Sequence, residues 1–175
     1  MIYFKIKYNL IRALLYLFIL PKKGCGVEIG VWEGWNAKML YYLARPYRLV
    51  LIDPYDRELC DEVYHPAYPQ GEYDKMYRRV RKWERPKKNV GLYRGTSKEA
   101  SFWIGAKDWA YVDGDHSDVY NDLTRWYDNL REGGIIMGDD YDNKSYPLVK
   151  EDVDRFCKER GLKLHRLHFQ FWFKK

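Results

Sequence analysis

Paired cysteines, an apolar run long enough for a bilayer, internal repeats and a dinucleotide fingerprint are all missing from this 175-residue chain. The three cysteines, Cys25, Cys60 and Cys157, are scattered and form no CxxC pair. That excludes a disulfide framework and a structural zinc site, and it fits a reducing, cytoplasmic location. The opening segment MIYFKIKYNLIRALLYLFILPKKG has basic residues ahead of an apolar run, superficially like a signal peptide. Lys5, Lys7 and Arg12 interrupt it, the unbroken stretch of residues 13–20 is too short to span a membrane, and no small-residue cleavage site follows. It therefore reads as an amphipathic first helix packed on a sheet and closed by Pro21, with a membrane surface or a partner helix as the alternative. No low-complexity tract interrupts the chain.

What is present describes a globular protein of one domain: 46% hydrophobic and 32% charged residues. Residues 1–23 form an N-terminal helical segment ahead of the main body, residues 24–175. The 31 basic against 25 acidic residues leave a net charge of +6. Most of that excess sits in RRVRKWERPKK, residues 78–88, and in the last residues; the first reads as a solvated helix face or as weak affinity for nucleic acid or acidic lipid.

Strand-like runs alternate with helical ones. CGVEIG, RLVLID, NVGLYRG, WAYVDGD and GGIIMGDD read as five strands. Helices are predicted over about 35–44, 73–83, 98–103, 119–130 and 147–160, and the end of the chain is rich in strand formers. On the predicted helix of 119–130, Val119, Leu123, Trp126 and Leu130 share one face. Alternating β and α elements with apolar strands predict an α/β fold: a Rossmann-like, doubly wound, mostly parallel sheet with helices on both faces. Ligands of such sheets sit beyond the carboxyl ends of the strands. Here four of those ends carry acids: Glu28, Asp53, Asp113, and Asp139 with Asp140. The irregular segment 54–71 is long enough to form a lid or substrate wall.

The turn GVEIGVWEGWNAKML decides between ligands. A pyrophosphate site wants G-x-G-x-x-G, whereas this turn reads E-x-G-x-x-x-G, at Glu28, Gly30 and Gly34. At an effective dielectric near 20, a carboxylate about 4 Å from a phosphate costs roughly 4 kcal/mol. A ligand carrying an ammonium and a sulfonium would instead gain from it, its own carboxylate using the helix N-terminus. S-adenosylmethionine is such a ligand, and Asp53 is placed to accept hydrogen bonds from ribose hydroxyls. Glu28 could also simply accept local backbone amides.

These motifs resemble the class I S-adenosylmethionine-dependent methyltransferases, and among them the metal-dependent O-methyltransferase branch of catechol-type and macrocin-type enzymes. VEIGVWEGWNA is similar to the first motif of that branch, LIDPYD to its ribose-binding acid, and GTSKEA to its adenine-side turn. YVDGDHSDVYNDLTRWYDNLREGGIIMGDDY resembles its metal and catalysis block, so the similarity runs over residues 24–141. The resemblance implies that Glu28, Gly30, Trp32, Gly34 and Asn36 surround the methionine portion, with Asp113 also on the donor side. It implies Asp53 on the ribose, Ser97 on the adenine, and Asp113, Asp139 and Asp140 as ligands of a divalent metal, Mg²⁺ being expected. A hard cation would lower the pKa of an acceptor hydroxyl. A pair of aspartates could equally be an acid-rich turn solvating the sheet edge.

His116 lies three residues past Asp113, where the catechol-type enzymes carry a lysine as general base. A neutral imidazole could remove a hydroxyl proton, so His116 joins Asp113 as a candidate catalytic residue, with support of a metal ligand or a hydrogen bond to the substrate as the alternatives. Tyr55, Tyr64, His65 and Tyr68 could stack on a sugar or aromatic ring. The expected activity is metal-dependent O-methylation of a small hydroxylated molecule, a sugar or natural product, with no DNA partner, RNA disfavoured and a homodimer allowed. The competing readings are an RNA or protein methyltransferase, and a binding protein or dinucleotide-dependent oxidoreductase on the same scaffold.

Overall fold

The structure, a computed structural model, describes residues 2–59 and 68–175, with side chains from residue 9 onward. Cys60, Tyr64 and His65 lie outside the described residues. Five strands, β1 (Cys25–Ile29), β2 (Arg48–Asp53), β3 (Val90–Arg94), β4 (Lys107–Val112) and β5 (Leu130–Gly138), are parallel. The strand-rich end of the chain folds as a hairpin, β6 (His165–Leu167) and β7 (Gln170–Lys174), with β7 antiparallel to β5. The sheet order is β3-β2-β1-β4-β5-β7-β6, so the winding reverses between β1 and β4. That is the expected doubly wound, mostly parallel sheet.

Among the described residues six α-helices cover it: α1 (Ile2–Phe18), α2 (Trp35–Ala44), α3 (Gln70–Glu84), α4 (Ser97–Trp103), α5 (Val119–Asp128) and α6 (Pro147–Glu159). The two-residue period of the strands assigns their side chains to two cores. Val27, Ile29, Ile52, Ala110, Val112 and Ile136 pack with Leu123 and Trp126 of α5 and Val153 and Phe156 of α6. Leu49, Leu51, Trp109, Tyr111 and Met137 point the other way, against Leu15 and Tyr16 of α1, Leu40 of α2 and Val80 of α3. Helix α1 therefore belongs to the same packed body as the rest. None of the helices in the described residues is long and apolar enough to cross a membrane.

Some boundaries moved. Helix α3 begins at Gln70, taking the last two residues of the expected wall, because the Gln70 amide nitrogen donates to the Tyr55 carbonyl (3.0 Å) and its side-chain oxygen accepts from the Arg57 amide (2.9 Å). Leu130 starts β5 rather than ending α5. Tyr55 is a core residue, not a substrate wall: it is fully buried and its hydroxyl donates to the Trp32 carbonyl (3.0 Å).

Two glycines control the turn after β1. Gly30 has φ +81°, and a Cβ there would stand 1.9 Å from the Asp113 carbonyl oxygen. Gly34, at φ +77°, would meet only the end of the Val80 side chain, at 2.8 Å. Backbone cannot yield where a side chain can. Gly30→Ala is therefore expected to destabilise by about 2–4 kcal/mol and Gly34→Ala by about 1–2 kcal/mol, measured by urea unfolding. Equal losses would show that the contact with the Asp113 backbone is not what demands glycine.

Candidate active site

The carboxyl ends of β1, β2, β4 and β5 open into a cavity of about 560 Å³, lined by residues from all the following loops and by Arg12 of α1. Gly30, Trp32, Asn36, Asp53, Ser97, Asp113, His116 and Asp140 line it. Three expected residues do not. Gly34 caps α2 behind the turn. Glu28 is fully buried below the cavity, on the α2 face that its place between Val27 and Ile29 dictates. There it accepts from the Asn36 side chain (3.1 Å) through one oxygen, the other having no partner among the described residues, and burial raises its pKa well above the usual carboxylate range. Glu28 thus acts on the cavity through Asn36.

Asp139 is the third departure. The resemblance groups it with Asp113 and Asp140, but its carboxylate is paired with the Arg12 guanidinium and also accepts from Gln170 of β7 (2.5 Å) and from the Asp140 amide (2.8 Å). Strand alternation turns consecutive side chains to opposite faces, and Asp139 follows Met137 onto the α1 face. Asp140, with φ +59°, turns the other way and meets His116. In place of the expected aspartate trio the structure brings together Asp113, His116 and Asp140, whose possible ligand atoms lie within 4.8 Å of one another.

This cluster is tightly organised. His116 Nε2 is 3.0 Å from Asp140 Oδ2 and 3.9 Å from Asp113 Oδ1. Asn143 donates to the other Asp140 oxygen (2.7 Å), and the imidazole stacks on Tyr146 with ring centroids 4.1 Å apart. Burial, then the neighbouring Asp140 charge, push the Asp113 carboxyl up to about 7. Burial opposes the His116 imidazolium, but the Asp140 hydrogen bond and the charges of Asp113, Asp140 and Asp115 outweigh it and raise its pKa. His116 is therefore drawn towards its cationic form, and its charge in turn lowers the Asp113 pKa. Two carboxylates and an imidazole also form a donor set that a divalent cation accepts.

At the other end, Asp53 shapes the turn before it meets any ligand. Its oxygens accept from the amides of Val31 (2.9 Å), Trp32 (2.8 Å) and Tyr55 (2.8 Å), leaving limited capacity facing the cavity. Trp32, in the left-handed region at φ +50°, packs edge-to-face on Tyr68. Ser97 accepts from the Trp126 indole (2.8 Å), and beside it lies Asp122, which pairs with Arg125 (3.0 Å). Arg12, Asp122, Asn143 and Tyr146 were not singled out from the sequence. Only Tyr146, just ahead of a helix-opening proline, carried a local signal.

Raising the Asp113 pKa has a measurable consequence. The folded state holds this proton more tightly than the unfolded chain, whose reference value is 3.8, so stability falls as pH rises from about 4 to about 7. Asp113→Asn should remove that fall: relative to the variant, the wild type should melt lower at about pH 8 than at about pH 5. A difference in melting temperature that does not change between the two pH values would show Asp113 to be an ordinary exposed carboxylate.

Comparison with known proteins agrees with this architecture. A family model described as a methyltransferase domain matches residues 27–141. No curated protein matches the sequence. Among solved structures, the Streptococcus mutans protein SMU.1697c in complex with S-adenosylhomocysteine superposes with a TM-score of 0.67 at 13% identity, covering 94% of this chain and 96% of its own. The O-methyltransferase NovP gives 0.66 at 19% identity over 87% of this chain and 72% of its own. The N-methyltransferase NodS from Bradyrhizobium japonicum WM9 gives 0.64 at 12% identity over 97% and 95%. The chain belongs to the methyltransferase-domain family and is a class I S-adenosylmethionine-dependent methyltransferase.

Proposed function

We propose that this S-adenosylmethionine-dependent enzyme methylates an oxygen of a small hydroxylated molecule, a sugar or natural product, and that Asp113, His116 and Asp140 manage the acceptor's proton and hold a divalent cation. The observation that carries this reading is the trio itself, gathered within 4.8 Å on one wall of the cavity. As the acceptor oxygen bonds to the methyl carbon, the carbon–sulfur bond breaks, S-adenosylhomocysteine departs and the hydroxyl proton must go to a base. Without a cation, Asp113, with its carboxyl near 7, is suited to take it; a cation bound there would instead keep Asp113 ionised as a ligand. Asp140 and Tyr146 hold the His116 ring, and Asn143 fixes Asp140. A bound cation would supply further acidity to the hydroxyl. Magnesium suits the two carboxylates, and the imidazole widens the choice to softer divalent ions. Trp32, Trp35 and Tyr146 give the cavity aromatic walls against which a flat or sugar ring can lie.

Manganese titration followed by electron spin resonance tests the cation site without any acceptor. Asp113→Ala and Asp140→Ala should each abolish or weaken binding at least tenfold, since a charged ligand is lost. Asp139→Asn should retain it, because Asp139 is committed to Arg12. Loss on Asp139→Asn alone would return the site to the aspartate trio of the resemblance. In parallel, chelation should stop S-adenosylhomocysteine release from a panel of hydroxylated acceptors without unfolding the protein. Full turnover in EDTA would remove the cation and leave proton transfer to Asp113 and His116.

A further inference from the structure

The methyl donor carries three charges, a sulfonium, an ammonium and a carboxylate, and the strand-end acids suit only the first two. Its carboxylate needs a cation or backbone amides to offset the repulsion of Asp113 and its neighbours. Among the described lining residues three carry fixed positive charge: Arg12, Lys98 and Arg125. Arg125 lies on α5, 3.0 Å from Asp122 and 3.5 Å from Asp118, and Lys98 lies in the first turn of α4. Lys98 adjoins Ser97, and Arg125 adjoins Trp126, whose indole donates to Ser97 (2.8 Å), whereas Arg12 contacts α2.

Arg12 stands where an amino-acid carboxylate would be received. Its Nη1 is 3.3 Å from the Asn36 side-chain oxygen, in the first turn of α2. The capping residue of that helix, Gly34, supplies no side-chain acceptor, so its first amides are not taken up by a capping side chain. The Arg12 side chain is only 12% exposed, and its other nitrogen is paired with Asp139, which fixes the guanidinium plane. A guanidinium has five donors in a planar fork and can serve a second carboxylate while keeping the first. Arg12 also lies outside residues 27–141, so the family match says nothing about it.

We propose that Arg12, delivered by α1 and aligned by Asp139, binds the carboxylate of the donor's methionine portion together with Asn36. Helix α1 then completes the donor site. The proposal rests on the donor occupying this cavity, and the test separates the two claims.

Calorimetric titration would use S-adenosylhomocysteine and its decarboxylated analogue, the adenosyl thioether of 3-aminopropanethiol, which keeps the ammonium. Wild type should prefer the carboxylate form by roughly 10–100-fold, as a charge-assisted bidentate contact gives. Arg12→Gln should erase that preference while leaving the analogue's affinity within about threefold. To guard against misfolding from an unpaired Asp139, the double variant Arg12→Gln/Asp139→Asn, which removes both charges, should behave the same. Asp139→Asn alone should retain most of the preference. A preference that persists in folded Arg12→Gln, or equal weakening of both ligands, would overturn the role of Arg12 alone. Failure of both thioethers to bind wild type would overturn the placement of the donor in this cavity.

Discussion

Carboxylates crowd one edge of a parallel sheet, and the rest of the structure accommodates that crowding. Glu28, Asp53, Asp113, Asp139 and Asp140 end four neighbouring strands, where burial makes each negative charge expensive. The protein answers each differently. Three backbone amides hold Asp53 and thereby shape the turn after β1. Asn36 takes one oxygen of Glu28. Arg12 and Gln170 take Asp139, tying α1 and β7 to the centre of the sheet. Asp113 is left with a raised pKa beside His116 and Asp140. The first three solutions are architectural, and the last leaves charge available for chemistry.

A buried ion pair such as Arg12–Asp139 is weak evidence for stability, since desolvation offsets most of the Coulomb gain. Its value here is positional. Tyr16, one turn beyond Arg12, donates to the same Asn36 oxygen (2.6 Å) and packs edge-on against Tyr111, whose hydroxyl donates to Gln170 (2.8 Å). The polar contacts therefore run without a break from Glu28 through Asn36 and Arg12 to Asp139, Gln170 and Tyr111. Helix α1, apolar enough to slide on a greasy sheet, acquires a defined register from that network. Leu10, Leu14 and Phe18, left exposed on its outer side, impose none.

Much of this was legible because strand periodicity and the strand-end acids are local properties. Both cores follow from reading alternate residues of RLVLID and WAYV. The same period separates Asp139 from Asp140, yet the resemblance grouped them and overrode the alternation. Arg12 and Gln170 were not legible, because their partners are 127 and 31 residues away and depend on how α1 and β7 dock. Tyr55 deceived for a related reason: a loop tyrosine looks like a substrate wall until the Asp53 carboxylate folds its backbone inward, to φ +46°. Composition reports that a loop is aromatic, whereas the direction of each ring is set by hydrogen bonds made elsewhere.

The two ends of the cavity work on different principles. At the Arg12–Asn36 end, charges are fixed and paired, which suits a part of the ligand that must not move. At the Asp113–His116–Asp140 end, two carboxylates and an imidazole lie within 4.8 Å of one another, and Asp140 and His116 act on the Asp113 carboxyl in opposite directions. For the proposed O-methylation, a fixed anchor and an acid–base wall are complementary, since the donor must be held in line while the acceptor hydroxyl loses a proton. Arg12 lowers the Asp113 pKa while Asp140 raises it, so the anchor is electrically coupled to the wall. A ligand carboxylate that takes up the Arg12 charge would raise the proton affinity of Asp113, whereas the donor's own sulfonium would lower it, so the donor site and Asp113 are electrically linked.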